Sequence, residues 1–238
     1  LIVRTNAAGA SPEELETEYR KLLSDYQKLA ATFYFRTCYS ILMLPKKFYE
    51  NAINHLYQEE LGEIITDEKK IFEELQQLYA GNPDILSKIR FYENDAISLG
   101  TLYSFETQIQ RAISERVWMK SGAYLIIQPT EALTVIDVNS GKNTSGKNAE
   151  EYYYKINLEA AAEISRQLRL RNISGIVIVD FINMAKEEQR KELMHQFRLS
   201  LKEDPVPVRL VDITKLGLVE LTRKKERKTL LEQVAQLR

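Results

Sequence analysis

The 238-residue chain has one cysteine, Cys38, and two histidines, His55 and His195. A lone thiol excludes an intrachain disulfide and a cysteine-built zinc site, and so few thiols suit a reducing compartment such as the cytoplasm. The histidines are far apart, form no metal-ligand spacing, and read as structural or surface residues. No apolar run approaches the ~18 residues that a membrane-spanning helix needs, and no signal peptide is visible. Neither sign of charge dominates: 33 Lys and Arg stand against 34 Asp and Glu, a net charge of −1. That excludes a whole-surface clamp for nucleic acid and leaves room for a local basic patch. Glycine-rich phosphate fingerprints are missing, since Gly141-Lys142 lacks the Walker spacing. There are no internal repeats or low-complexity segments. The first residue is Leu1 rather than Met, so the chain is expected to be a piece of a longer one.

What is present is ordinary globular composition, 44% hydrophobic and 28% charged. Leu1 to Thr5 reads as the end of a strand. Ser11-Pro12-Glu13-Glu14 is a helix start, with Ser11 as cap and Glu14 closing a capping box. Apolar residues at Leu15, Tyr19, Leu22, Tyr26, Leu29 and Phe33 then repeat at helical spacing, one face suited to core or helix-pair packing. A second helix is predicted over 46–57. Next come a short strand over 63–67, a helix over 68–80, a strand over 89–92 and a helix over 105–117. From Trp118 the pattern becomes sheet-like. Tyr124 to Gln128 and Ala132 to Val138 flank a turn as a hairpin. Helices are predicted over 150–170, 186–203 and 223–238, with strands at 176–180, 206–213 and 218–221. The fold class is α/β, with mixed sheets flanked by helices.

Two strands carry the chemistry. Leu133 to Asn139 and Ile176 to Asp180 are β-branched runs, each interrupted by one carboxylate, Asp137 or Asp180. An Asp in a buried strand is out of place unless it sits at the strand end with a partner. A crossover helix between the strands would bring their carboxyl ends into one crevice. Two such carboxylates are the oxygen donors Mg²⁺ prefers, and Mn²⁺ is an acceptable substitute. Asn139 shares a strand face with Asp137 and can orient a water or phosphate without adding charge. The plainer alternative is that both Asp side chains cap the loops that follow them. Lys142, Arg166, Arg169, Arg171, Lys215, Arg223 and Lys224 are either a solvated charged face or contacts to an RNA backbone.

These motifs resemble those of the ribonuclease E/G family. The resemblance lies in Glu131–Gly141, Asn157–Ala161, Glu163-Ile164, Arg166–Arg171, Gly175–Phe181, Leu216–Glu220 and Thr222–Lys224, in that order. It is dense from about 118 to 230 and sparser before. It implies a Mg²⁺-dependent endoribonuclease acting on single-stranded RNA in RNA processing and decay. It also implies a DNase I-like catalytic unit over 118–238 beside an RNase H-like unit over 61–117. Residues 1–60 would belong to a region that senses the RNA 5′ end. By position, Asp137 and Asp180 match the family's metal-binding Asp residues. Asn139 matches the Asn that positions the scissile phosphate, and Arg4-Thr5 resembles the sensor of a 5′-monophosphate. Asn183 stands where the family usually has Asp. The family's OB-fold domain and its Cys-x-x-Cys zinc link have no counterpart in these residues. Zinc is therefore not expected, and any homo-oligomer would not be held by it. The rivals are a non-catalytic RNA-binding module with a vestigial site and a nucleotide-binding α/β domain, the latter disfavoured by the missing fingerprint.

Overall fold

The computed structural model describes residues 11–43, 47, 49–50, 53, 61–94, 96–141 and 149–236. The strand predicted at Leu1 to Thr5, most of the helix predicted over 46–57, and the side chain of Glu14 lie outside the described residues. The chain divides into two compact units, Leu1–Glu93 and Asn94–Arg238.

The first unit contains α1 (Pro12–Thr32), β1 (Ile64–Thr66), α2 (Lys69–Leu78), α3 (Pro83–Leu86) and β2 (Ile89–Phe91). Strands β1 and β2 pair in parallel, Ile64 opposite Ile89. The Asn82 side chain caps α3 by accepting from the Ile85 N–H. Leu75, Tyr79, Ile85 and Ile89 form its small core.

The second unit contains α4 (Leu99–Leu102), α5 (Phe105–Ile113), β3 (Arg116–Trp118), β4 (Tyr124–Pro129), β5 (Leu133–Asn139), α6 (Ala149–Leu170), β6 (Gly175–Asp180), α7 (Glu187–Leu201), β7 (Val208–Ile213), β8 (Val219–Arg223) and α8 (Leu230–Gln236). Helix α4 and strand β3 are not foreseen in the sequence pattern, and two helices have other bounds than expected. Helix α5 stops at Ile113 because Ser114 is extended and Arg116–Trp118 pairs with β4. The last helix begins at Leu230, where Thr229 and Glu232 form a capping box: the Thr229 hydroxyl accepts from the Glu232 N–H and the Glu232 carboxylate accepts from the Thr229 N–H.

The six strands are ordered β3-β4-β5-β6-β8-β7. All neighbours are antiparallel except β5 and β6. A parallel pair needs a crossover, and α6 supplies it. The alternation along each strand turns Leu125, Ile127, Ile136, Val138, Val177, Val179, Val219 and Leu221 to one face, where Ile156, Ala160, Ile164 and Leu168 of α6 and Leu193, Phe197 and Leu201 of α7 meet them. Each such large aliphatic side chain contributes about 1.5–3 kcal/mol on burial. The other face carries a mixture of apolar and polar alternates, among them Ile126, Val135 and Ile178 beside Asp137, Asn139 and Asp180. Asn172 ends α6 with φ of 49°, and Gly175 follows with φ of 87°, which turns the chain back into β6.

Candidate active site

The one parallel pair carries both carboxylates. Its register runs from Leu133 opposite Ile176 to Asp137 opposite Asp180. Partners across a ladder share a face, so the two Asp side chains project together from the face opposite α6 and α7. Their backbones stand about one strand spacing, ~4.8 Å, apart. Both side chains are exposed at the carboxyl ends of their strands. The strand–helix–strand pattern thus brings the two residues side by side at the strand ends.

Asn139 lies two residues on, on the same face, and its Nδ2 donates to Asp137 Oδ2 at 2.7 Å. One carboxylate oxygen of Asp137 is therefore held and the other left for a ligand. Directly after β5, Gly141 has φ of 73°, and a Cβ there would come within 2.7 Å of the Gly122 carbonyl oxygen. Only glycine lets the chain leave Asn139 by this path. The turn before β4 and the start of the loop after β5 are thereby packed together.

A further residue secures the Asp180 side, and sequence reasoning gave it no role. Asn157, fully buried in α6, donates from Nδ2 to the Ile182 carbonyl at 2.7 Å and accepts the Ile182 N–H at 3.0 Å. Its amide reproduces a backbone pairing for the segment that follows Asp180. The signal available in the sequence was a polar residue on the buried stripe of an amphipathic helix, which needs a partner.

The predicted basic contacts do not form one surface. Lys215 is exposed in the turn between β7 and β8, at the sheet end that carries Asp180, because Val219 pairs with Val179. Arg223 pairs with Gly175 at the opposite end of β6. The expectation that Arg223 contacts RNA is corrected: its side chain is 3% exposed and is committed to Asp204 at 2.8 Å, with Nη1 donating to Asn172 Oδ1 and the Ile173 carbonyl. Lys224 is exposed and pairs with Glu226. Arg166, Arg169 and Arg171 close α6, also at the far end from the Asp pair. Arg166 binds Glu163 at 2.6 Å, and Arg169 lies 3.8 Å from Glu203. Arg171 is a second correction, since it is buried and donates to Gln167 Oε1 rather than facing solvent. Burial pulls the Arg171 guanidinium below its usual value, partly offset by Glu163. Burial pushes the Glu163 carboxyl up, but hydrogen bonds from Arg166 and Gln167 and the charges of Arg166 and Arg171 outweigh it and hold the group below the ordinary carboxylate range. Arg4, Thr5 and Lys142 lie outside the described residues.

Residues 1–226 match the profile of the Ribonuclease E/G family. The chain belongs to that family. Among ribonuclease E/G relatives, it is 34% identical over 226 residues to ribonuclease E of Haemophilus influenzae, which covers 94% of this chain and 24% of that protein. It is 34% identical over 235 residues to ribonuclease G of Salmonella typhimurium, 96% of this chain and 47% of that protein. Ribonuclease E of a Nostoc species is 33% identical over 236 residues, 98% of this chain and 34% of that protein. The chain spans less than half the length of each of these family members. No described helix is long and apolar enough to cross a membrane.

Proposed function

We propose that this chain is the catalytic part of a Mg²⁺-dependent endoribonuclease that hydrolyses single-stranded RNA during processing and decay in the cytoplasm. The observation that carries the reading is the register pairing of Asp137 with Asp180, with Asn139 hydrogen-bonded beside them. Family membership supplies the substrate class. The donor set, two carboxylates with the Asn139 amide beside them, suits the ion. Mg²⁺ binds through one or two carboxylates and substrate phosphate while keeping several waters.

Asp137 and Asp180 would hold the ion, which when bound supplies Lewis acidity to the scissile phosphate and lowers the pKa of water. Asn139 has a second amide N–H beyond the one given to Asp137, and that N–H is free to hold a phosphate oxygen in line. Asn157 keeps Asp180 in place from beneath. Hydrolysis adds water across the P–O3′ bond and leaves a 3′-hydroxyl and a 5′-phosphate. In this reading 118–238 act as the DNase I-like unit and 61–117 as the RNase H-like unit. Arg4 and Thr5 bind the RNA 5′-monophosphate, a planar guanidinium fork being suited to that group.

The test is incubation of a 5′-monophosphorylated single-stranded oligoribonucleotide with the protein, with Mg²⁺ and with a chelator. Cleavage confined to the Mg²⁺ sample, with new 3′-hydroxyl ends, is the expected result. RNA binding without cleavage under either condition would instead favour a non-catalytic RNA-binding module. Arg4→Leu is expected to abolish any preference for 5′-monophosphate over 5′-hydroxyl RNA.

A further inference from the structure

We propose that Trp118 and Tyr124, with Arg116 against their rings, form a base-stacking subsite for the RNA strand. The inference rests on the reading that the Asp pair acts on RNA. Strand register lays the subsite beside the reacting centre. Trp118 is opposite Tyr124, and Tyr124 is opposite Asn139. These three residues form one row on the outer face. A neighbouring row runs Arg116, Ile126, Asp137, Asp180. The two rings thus stand about one and two strand spacings, ~5 and ~10 Å, from Asn139. That is the reach from a phosphate to the bases of the nucleotides beside it.

The side chains suit a base rather than a core. Trp118 is 63% exposed, on the edge strand of the sheet. Its ring centroid lies 5.1 Å from that of Tyr124, with the planes at 57°, so the pair is splayed rather than closed on itself. The Arg116 guanidinium lies 4.7 Å from the Tyr124 centroid and 5.7 Å from that of Trp118. It makes no ion pair among the described residues, so its charge is open to a phosphate. A cavity of about 600 Å³ is lined by Arg116, Trp118, Tyr124, Asn139, Gly141 and Tyr152. Every base has a π-face, so rings flanked by Arg bind single strands with little regard to sequence. The acidic pair needs a polyanion held against it from outside, and Arg116 and the rings supply both charge and stacking.

Trp118 is the only tryptophan of the chain, so its fluorescence reports the subsite directly. The experiment titrates the full chain, in chelator, with a single-stranded oligoribonucleotide and with an abasic ribose-phosphate oligomer of equal length. The expected result is quenching by the first and not the second, with the abasic oligomer binding about tenfold or more weakly. Tyr124→Ala and Trp118→Ala should each weaken binding of a labelled oligonucleotide by about tenfold, and Trp118→Phe should retain most of it. Equal quenching by the abasic oligomer, or parental affinity in Trp118→Ala, overturns the subsite. Cleavage with Mg²⁺ is scored separately. Cleavage without base-dependent quenching refutes the subsite alone, whereas quenching without cleavage upholds it and refutes the catalytic reading.

Discussion

Replacing Asn157 by Leu tests whether the carboxylate pair is positioned from beneath. The substitution keeps the approximate volume in a fully buried position and removes both hydrogen bonds to Ile182. A buried polar group left without its partner costs about 1–3 kcal/mol, and two are stranded here. Ile182 is only half-buried, so water recovers part of the loss, and about 2–4 kcal/mol is expected. At about 2–4 °C per kcal/mol for a domain of this size, the melting temperature falls by roughly 4–16 °C. Ordinary domain stability of about 5–15 kcal/mol leaves most molecules folded. The effect on cleavage should exceed what unfolding explains, because Asp180 lies two residues before the released segment and a displacement of about 1 Å costs about 100-fold in rate. Leu168→Ala is the control. It empties a buried position of the same helix at the far end from the Asp pair, at a cost of about 2–5 kcal/mol. The assay is single-turnover cleavage well below both melting points. The expectation is a rate near parental for Leu168→Ala and one reduced about 100-fold for Asn157→Leu, with RNA affinity little changed. If Asn157→Leu melts lower yet cleaves at the parental rate, Asn157 holds the fold and not the site.

Other outcomes follow from the buried and half-buried charges. Asp204→Ala strands Arg223 among side chains that are 3% and 1% exposed in the parent, and should cost about 3–5 kcal/mol by thermal or denaturant unfolding. An unchanged midpoint would contradict the buried pairing. Glu163 has a folded pKa below its ordinary value, so its stabilisation is present above the ordinary carboxylate range, about pH 4.3, and is lost as pH falls through the lower folded value. Glu163→Gln should therefore be less stable than the parent by about 1 kcal/mol at neutral pH, with the gap closing in acid. A gap that widens in acid would show the sign to be wrong.

Much of this was legible in the sequence because two periodicities are strong. The β-branched runs around Asp137 and Asp180 and the apolar stripe of residues 150–170 identify two strands and their crossover. The strand–helix–strand order then brings the strand ends together. The residues alone allowed a metal site at Asp137 and Asp180 with Asn139 beside it, but an Asp at a strand end is also a plain loop cap, and the family resemblance was what favoured the site. Period-2 alternation explains the misjudged basic cluster. Arg223 and Lys224 are adjacent in sequence, but one turns into the core and the other into solvent, and no run of like charges reveals which. Arg171 fails for a related reason, since its place at a helix end shows neither its burial nor its Gln167 partner. The late start of the last helix was encoded in Thr229 and Glu232, a capping box masked by the charged stretch before it. Asn157 could be flagged only as a polar residue on a buried stripe, because its partner lies 25 positions away in a segment without regular structure.

The central claim is that Asp137 and Asp180 together make RNA cleavage depend on Mg²⁺. The most direct measurement is the single-turnover rate on a 5′-monophosphorylated single-stranded oligoribonucleotide as Mg²⁺ is varied, for the parent, Asp137→Asn and Asp180→Asn, with melting curves on the same samples. The account predicts saturable Mg²⁺ dependence in the parent and loss of cleavage by at least about 100-fold in each variant at unchanged melting temperature. Cleavage by either folded variant at the parental rate and with the parental Mg²⁺ dependence would contradict it.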